Sequence, residues 1–266
     1  MPIHCEIQVN PLDKNEFAEL DYIVTGFAFD IHNQLGRFFP EHVYQNELAR
    51  RCTNAGLEVS KEVSISVAYG NFRKHYMIDL LVERGGLYEL KTAVELNGNH
   101  KRQAINYLLL LGLHHGKVLN FRPFSVQGNL VSTQLTTEIR RDYTLCCDGW
   151  DGDNETDVWL LDLLCDLFDE WGLFLEVDLY KQALLHFSAG PDAGVQDVDV
   201  MVGGETIGSQ KMCLLDAETA WHISAIRSDQ MRYSKHLRRI LDHMDLSRMH
   251  WINLENGKVC LLTIHK

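Results

Sequence analysis

The 266-residue sequence predicts an α/β fold in which small mixed sheets are flanked by helices, in two tandem units over 1–147 and 148–266. Three observations predict it. Helical periodicity alternates with short apolar runs of strand character. The order in the first half is two helices, three strands, a helix and a strand, which layers helices on a sheet. The second half repeats that order in worn form.

The elements follow in turn. Phe17, Leu20, Ile23, Val24, Phe27, Ile31 and Leu35 recur at helical spacing within 14–35, an amphipathic helix packed on a sheet. Pro40 opens a second helix over 40–55, with Glu41 in the first turn where the dipole favours an acid, and Gly56 ends it. Val63, Ile65 and Val67 alternate within 62–69, a strand. Residues 77–82 and 87–91 are two more strands, with a hairpin turn expected at Gly85-Gly86. A helix is expected over 100–113 and a strand over 117–121.

In the second half, 158–187 mirror the two opening helices, and Tyr180 falls where Tyr44 does. The strand leading to Gly203-Gly204 repeats the one around Asp79, so that Leu214-Leu215-Asp216 is expected at the position of Glu89-Leu90-Lys91, and His236 at that of Gln103. Residues 245–254 repeat 112–121, each run closing with an asparagine, Asn253 or Asn120, and an apolar residue. A period this long implies domain duplication rather than a solenoid. The Gly-rich acidic segment 148–154, which includes Asp153, is expected to link the units.

Composition narrows the class. At 45% hydrophobic and 23% charged, the chain has an ordinary globular balance. Its apolar runs fall short of the roughly 20 residues that span a bilayer. The start, Met1 to Glu6, lacks a basic-then-apolar leader pattern, so no membrane and a cytoplasmic location are expected. Seven cysteines without C-x-x-C spacing do not make a disulfide framework or a zinc site, and Cys52, Cys165 and Cys213 are expected as buried thiols. The 13 histidines include no i, i+4 pair with a carboxylate partner. The net charge of −12 opposes nucleic-acid binding in general, but it is unevenly spread. No Lys or Arg occurs from Asp142 through Tyr180, whereas the first half carries Arg37, Arg50, Arg51, Arg73, Lys74, Lys101, Arg102, Arg122, Arg140 and Arg141.

The chemistry concentrates at Asp79, Glu89 and Lys91. Glu89 and Lys91 share one strand face, roughly 7 Å apart, and hairpin pairing brings Asp79 alongside. Two carboxylates at one point attract a hard divalent cation. Downstream, Gln103 and Tyr107 share a helix face; upstream stand Glu41 and Tyr44. This ordered set, Glu41 with Tyr44, then Asp79, then Glu89-Leu90-Lys91, then Gln103 with Tyr107, resembles the PD-(D/E)XK nuclease superfamily. More closely it resembles the family known for its GxxExxY motif, with Phe38 in place of the motif's first glycine. The resemblance extends over roughly 20–130.

The resemblance implies a restriction-endonuclease-like sheet and a metal-dependent phosphodiester hydrolase acting on nucleic acid, DNA ahead of RNA. Mg²⁺, for which Mn²⁺ can substitute, is expected on Asp79, Glu89 and the Leu90 carbonyl. Lys91 orients or deprotonates the attacking water. Gln103 and Glu41 are the remaining catalytic candidates, and Tyr107, Tyr44, Lys101 and Arg102 the candidate substrate contacts. The second half, lacking the trio, is expected to be catalytically dead. Apolar edge strands are compatible with a protein partner or a homodimer. The alternative is a non-catalytic regulatory or interaction scaffold working through the acidic second half.

Overall fold

A computed structural model describes residues 2–152, 154–188, 190 and 192–266. Asp153 of the expected linker lies outside the described residues. The chain divides into two compact units, Met1–Thr137 and Glu138–Lys266. No helix among the described residues is long and apolar enough to cross a membrane.

The first unit begins with β1 (Ile3–Cys5), α1 (Lys14–Leu35) and α2 (Glu41–Asn54). Asp13 and Glu16 form a capping box that starts α1, and Gly36, at φ 73°, ends it. Three strands follow: β2 (Val59–Tyr69), β3 (Phe72–Val82) and β4 (Gly86–Lys91). After α3 (Gly98–Leu111) come β5 (His115–Asn120) and β6 (Gln127–Ser132). The six strands lie in sequence order in one sheet. Every neighbouring pair is antiparallel except β4–β5, which is parallel and is crossed over by α3. Strands β1 and β6 were not legible as strands in the sequence: β1 is three residues long, and β6 is half polar.

Helices α1 and α2 bury Phe17, Leu20, Val24 and Leu48 against Leu80, Tyr88, Leu90 and Leu119 of one sheet face. Because Tyr88 and Leu90 enter this core, Glu89 between them points to the opposite face, the side of α3. The β3–β4 turn differs from expectation. The left-handed residues are Glu83 and Arg84, at φ 52° and 56°, and Gly86 already pairs with Val82. Gly85 and Gly86 are required for close approach instead. A Cβ on Gly85 would sit 2.2 Å from the Asn10 carbonyl oxygen, and one on Gly86 would sit 2.6 Å from Leu20 Cδ2.

Helix α4 (Thr137–Arg141) leads to β7 (Thr144–Gly149), α5 (Glu155–Trp171) and α6 (Val177–Phe187). Then come β8 (Gly194–Val202), β9 (Glu205–Leu214), β10 (Thr219–Ser224), α7 (Gln230–Asp242), β11 (Arg248–Glu255) and β12 (Lys258–His265). The expected linker therefore does not separate the units. Residues before it already pair with β12 as β7, and Asn154 after it caps α5. The second sheet runs β7-β12-β11-β10-β9-β8. Strands β8 to β12 reproduce the order of β2 to β6, and again only the third pair, β10–β11, is parallel within that run.

Registers correct the expected correspondence between the halves. Lys91 pairs with Asn120 across β4–β5, and Ser224 pairs with Asn253 across β10–β11. The Asn120 side chain donates to the Ala93 carbonyl at 2.8 Å and accepts from its N–H at 3.1 Å. Asn253 makes the same two bonds to Ile226, at 2.9 and 2.8 Å. His222-Ile223-Ser224, not Leu214-Leu215-Asp216, thus stands where Glu89-Leu90-Lys91 stands. The sequence comparison slipped by one strand: the β8–β9 hairpin, with its Gly203-Gly204 turn, is the counterpart of β2–β3 rather than of β3–β4. Tyr44 Oη donates to the Gly36 carbonyl, and Tyr180 Oη donates to the Gly172 carbonyl, with each glycine ending the preceding helix.

Candidate active site of the first unit

The β3–β4 ladder ends at Leu80 and Tyr88. The next pair would be Asp79 with Glu89, and here side chains replace backbone pairing. The Leu90 N–H donates to Asp79 Oδ2 at 2.7 Å, and the Asp79 N–H approaches Glu89 Oε1 at 3.4 Å. Backbone pairing stops here, so β3 and β4 splay apart at the carboxylates. Gln45 of α2 donates to the freed Asp79 carbonyl at 2.8 Å and holds the splayed strand. Sequence reasoning missed Gln45, although it lies one helical turn after Glu41.

Lys91 occupies the centre. Its Nζ lies 3.3 Å from Glu89 Oε2, 3.6 Å from Asp79 Oδ2 and 3.7 Å from Glu41 Oε1. Burial works against the ammonium charge, but attraction from Glu89, Asp79 and Glu41 outweighs it and raises the Lys91 pKa. With its protein neighbours alone, Lys91 is held charged. Glu89 is fully buried. Desolvation first, then the Asp79 charge, pushes its carboxyl up to about 8, with Lys91 opposing. Glu41 is likewise raised, chiefly by burial. Three carboxylates face one ammonium, so full ionisation leaves two negative charges (3 − 1) uncompensated.

That imbalance is what a divalent cation would neutralise. Asp79 and Glu89 fit a hard ion that keeps several waters. They do not form a closed cage: among the described residues no group of three His, Cys, Asp or Glu side chains is arranged to hold a metal.

The remaining candidates divide. Gln103 Nε2 donates to Tyr107 Oη at 3.0 Å. Burial raises the Tyr107 hydroxyl pKa, and Glu89 and Asp79 add to this, so the Gln103–Tyr107 pair on α3 feels the site's charge. Tyr44 is no substrate contact. It is fully buried, stacked on Phe121 with centroids 4.5 Å apart, and its hydroxyl is used by Gly36 and by the Phe39 N–H. Lys101 and Arg102 lie on the exposed first turn of α3, where Arg102 bonds Asn99. All seven cysteines are free thiols; Cys52 and Cys213 are buried as expected, but Cys165 is only partly covered.

Two acidic residues on neighbouring strands, with a lysine two residues beyond the second acid, form the site. Residues 18–131 match the family model of the PD-(D/E)XK nuclease superfamily. The matched segment contains Glu41, Asp79, Glu89, Lys91, Gln103 and Tyr107. Nucleases of this superfamily typically use divalent metal ions. No curated protein and no solved structure matches the chain.

Proposed function

We propose that the first unit is a metal-dependent nuclease that hydrolyses phosphodiester bonds, DNA ahead of RNA, at Asp79, Glu89 and Lys91. The observation that carries this reading is the convergence of Lys91 with three carboxylates from β3, β4 and α2 where the sheet splays. Asp79, Glu89 and the Leu90 carbonyl are the ligands for Mg²⁺ or Mn²⁺. When bound, the ion supplies charge neutralisation at the phosphoryl group and a more acidic water. Lys91 orients that water and offsets charge developing on the phosphate. Glu41 holds Lys91 in place, and Gln103 with Tyr107 lines the approach on α3. The second unit is a degenerate duplicate, a reading supported by the repeated Asn and Tyr ties. Met212, His222 and Ser224 take the register positions of Asp79, Glu89 and Lys91 there.

The test incubates the full chain with Mg²⁺ or Mn²⁺ and with single- and double-stranded DNA and RNA. Cleavage that chelator stops and Lys91→Ala removes is the expected result. Absence of cleavage on all four substrates sinks the reading.

A further inference from the structure

Two loops leave the site carrying exposed aromatic rings interleaved with arginines. Phe38, just before Glu41, is 70% exposed, and Phe124, after β5, is 89% exposed. The Arg37 guanidinium lies 3.9 Å from the Phe124 ring centroid and 4.9 Å from that of Phe38; Arg122 lies 5.0 Å from Phe38. Neither arginine has a carboxylate within ion-pair distance among the described residues, so ring faces alone share their charge. Both loops are pinned. Tyr44 Oη accepts from the Phe39 N–H at 3.2 Å, and His32 Nε2 donates to the Pro123 carbonyl at 2.9 Å. The second loop begins beside the site, since the Phe121 N–H donates to the Lys91 carbonyl at 2.9 Å.

From this geometry we infer that Phe38, Phe124, Arg37 and Arg122 form a stacking platform for unpaired bases, making single-stranded nucleic acid the ligand of the site. The choice of nucleic acid rests on the nuclease reading; the choice of single strands rests on the platform. Exposed phenylalanine has no group with which to bond a phosphate or a groove edge. It gains from the flat face of a base, and those faces are covered in a duplex. The arginines stack as planes and also take phosphate, which suits a strand threading towards Lys91. This local positive charge reconciles a chain of net charge −12 with an anionic ligand.

The test measures anisotropy of labelled single-stranded DNA, single-stranded RNA and the matching DNA duplex with the full chain in EDTA, so that cleavage does not enter. Tighter binding of a single strand than of duplex is expected. Phe38→Ala with Phe124→Ala should weaken single-strand binding by on the order of tenfold or more, with little change for duplex. Phe38→Trp should retain it. Arg37→Ala with Arg122→Ala should flatten the salt dependence of single-strand binding. Unchanged single-strand affinity in the Phe38/Phe124 double variant, with an unchanged thermal midpoint, overturns the platform even if the protein cleaves. Platform-dependent single-strand binding without cleavage under Mg²⁺ or Mn²⁺ supports the platform and sinks the nuclease reading instead.

Discussion

Lys91 shows how one side chain gathers a site. At an effective dielectric of about 20, a unit charge pair near 4 Å attracts by about 4 kcal/mol before desolvation is counted. Three such partners outweigh the penalty of burying the ammonium, which is why its pKa rises. Removal of Lys91 leaves Glu89, Asp79 and Glu41 facing one another. We expect Lys91→Ala to lower the cleavage rate by on the order of 10²–10³, the range for loss of one preorganised charge-stabilising group. Single-turnover rates, with circular dichroism as a folding control, check it. Tyr44 works differently, as a tie between α2 and the loop that carries Phe38. Tyr44→Phe leaves the Gly36 carbonyl and the Phe39 N–H short of a partner and should cost about 1–2 kcal/mol. Urea unfolding measures that cost, and hydrogen exchange at 36–40 should rise.

At the scale of elements, the β3–β4 hairpin decides whether the acids meet. Its turn puts Glu83 and Arg84 in left-handed backbone, so Gly85 and Gly86 are free to serve close packing against Asn10 and Leu20. Gly86→Ala should overpack the site where Leu20 sits and destabilise the first unit by about 1–3 kcal/mol. A neutral result in urea denaturation would remove this account of the glycine. The Gly-Gly pair was legible as punctuation between strands. Its role was not, because a clash with Asn10 and Leu20 depends on residues far off in sequence. Pairing of Asp79 with Glu89 and Lys91 was legible from strand alternation. The missing rung, and Gln45 filling it, were not, since Gln45 comes from a helix 34 residues earlier in the chain.

At the scale of the molecule, the two units share a run of five strands in the same order but not a charge pattern. The second buries Asp157 with Arg248 at 2.9 Å and His250 at 2.8 Å, with Trp150 tilted over the His250 ring at 4.1 Å. Burial lowers the His250 pKa below its ordinary 6.5, even though the Asp157 bond opposes this. Below pH 6.5 the unfolded chain takes up a proton that the folded one resists, so this contribution is present above 6.5 and is lost as pH falls. We expect the second unit's urea midpoint to drop from pH 7 to pH 5, and to drop less in His250→Gln. Equal drops would exclude this histidine as the cause. His222→Gln, at the position matching Glu89, should leave cleavage by the full chain unchanged, because the proposed reacting groups all lie in the first unit. A large loss in the same single-turnover assay would mean that the second unit supplies one.

By itself, the sequence determined the α/β class, the order of α1 to α3 and the central strands β2 to β5, and the spacing that nominates the acid–acid–lysine trio. These are local properties, carried by periodicity, caps and spacing along one stretch of chain. Only the tertiary structure decided that Glu41 reaches Lys91, that Tyr44 is a buried tie, and that His222-Ile223-Ser224 rather than 214–216 matches the trio. It also decided that Phe38 and Phe124 meet around Arg37. Each of these is a contact between segments distant in sequence, set by sheet register and helix packing, and no local pattern encodes which distant partner a side chain will find.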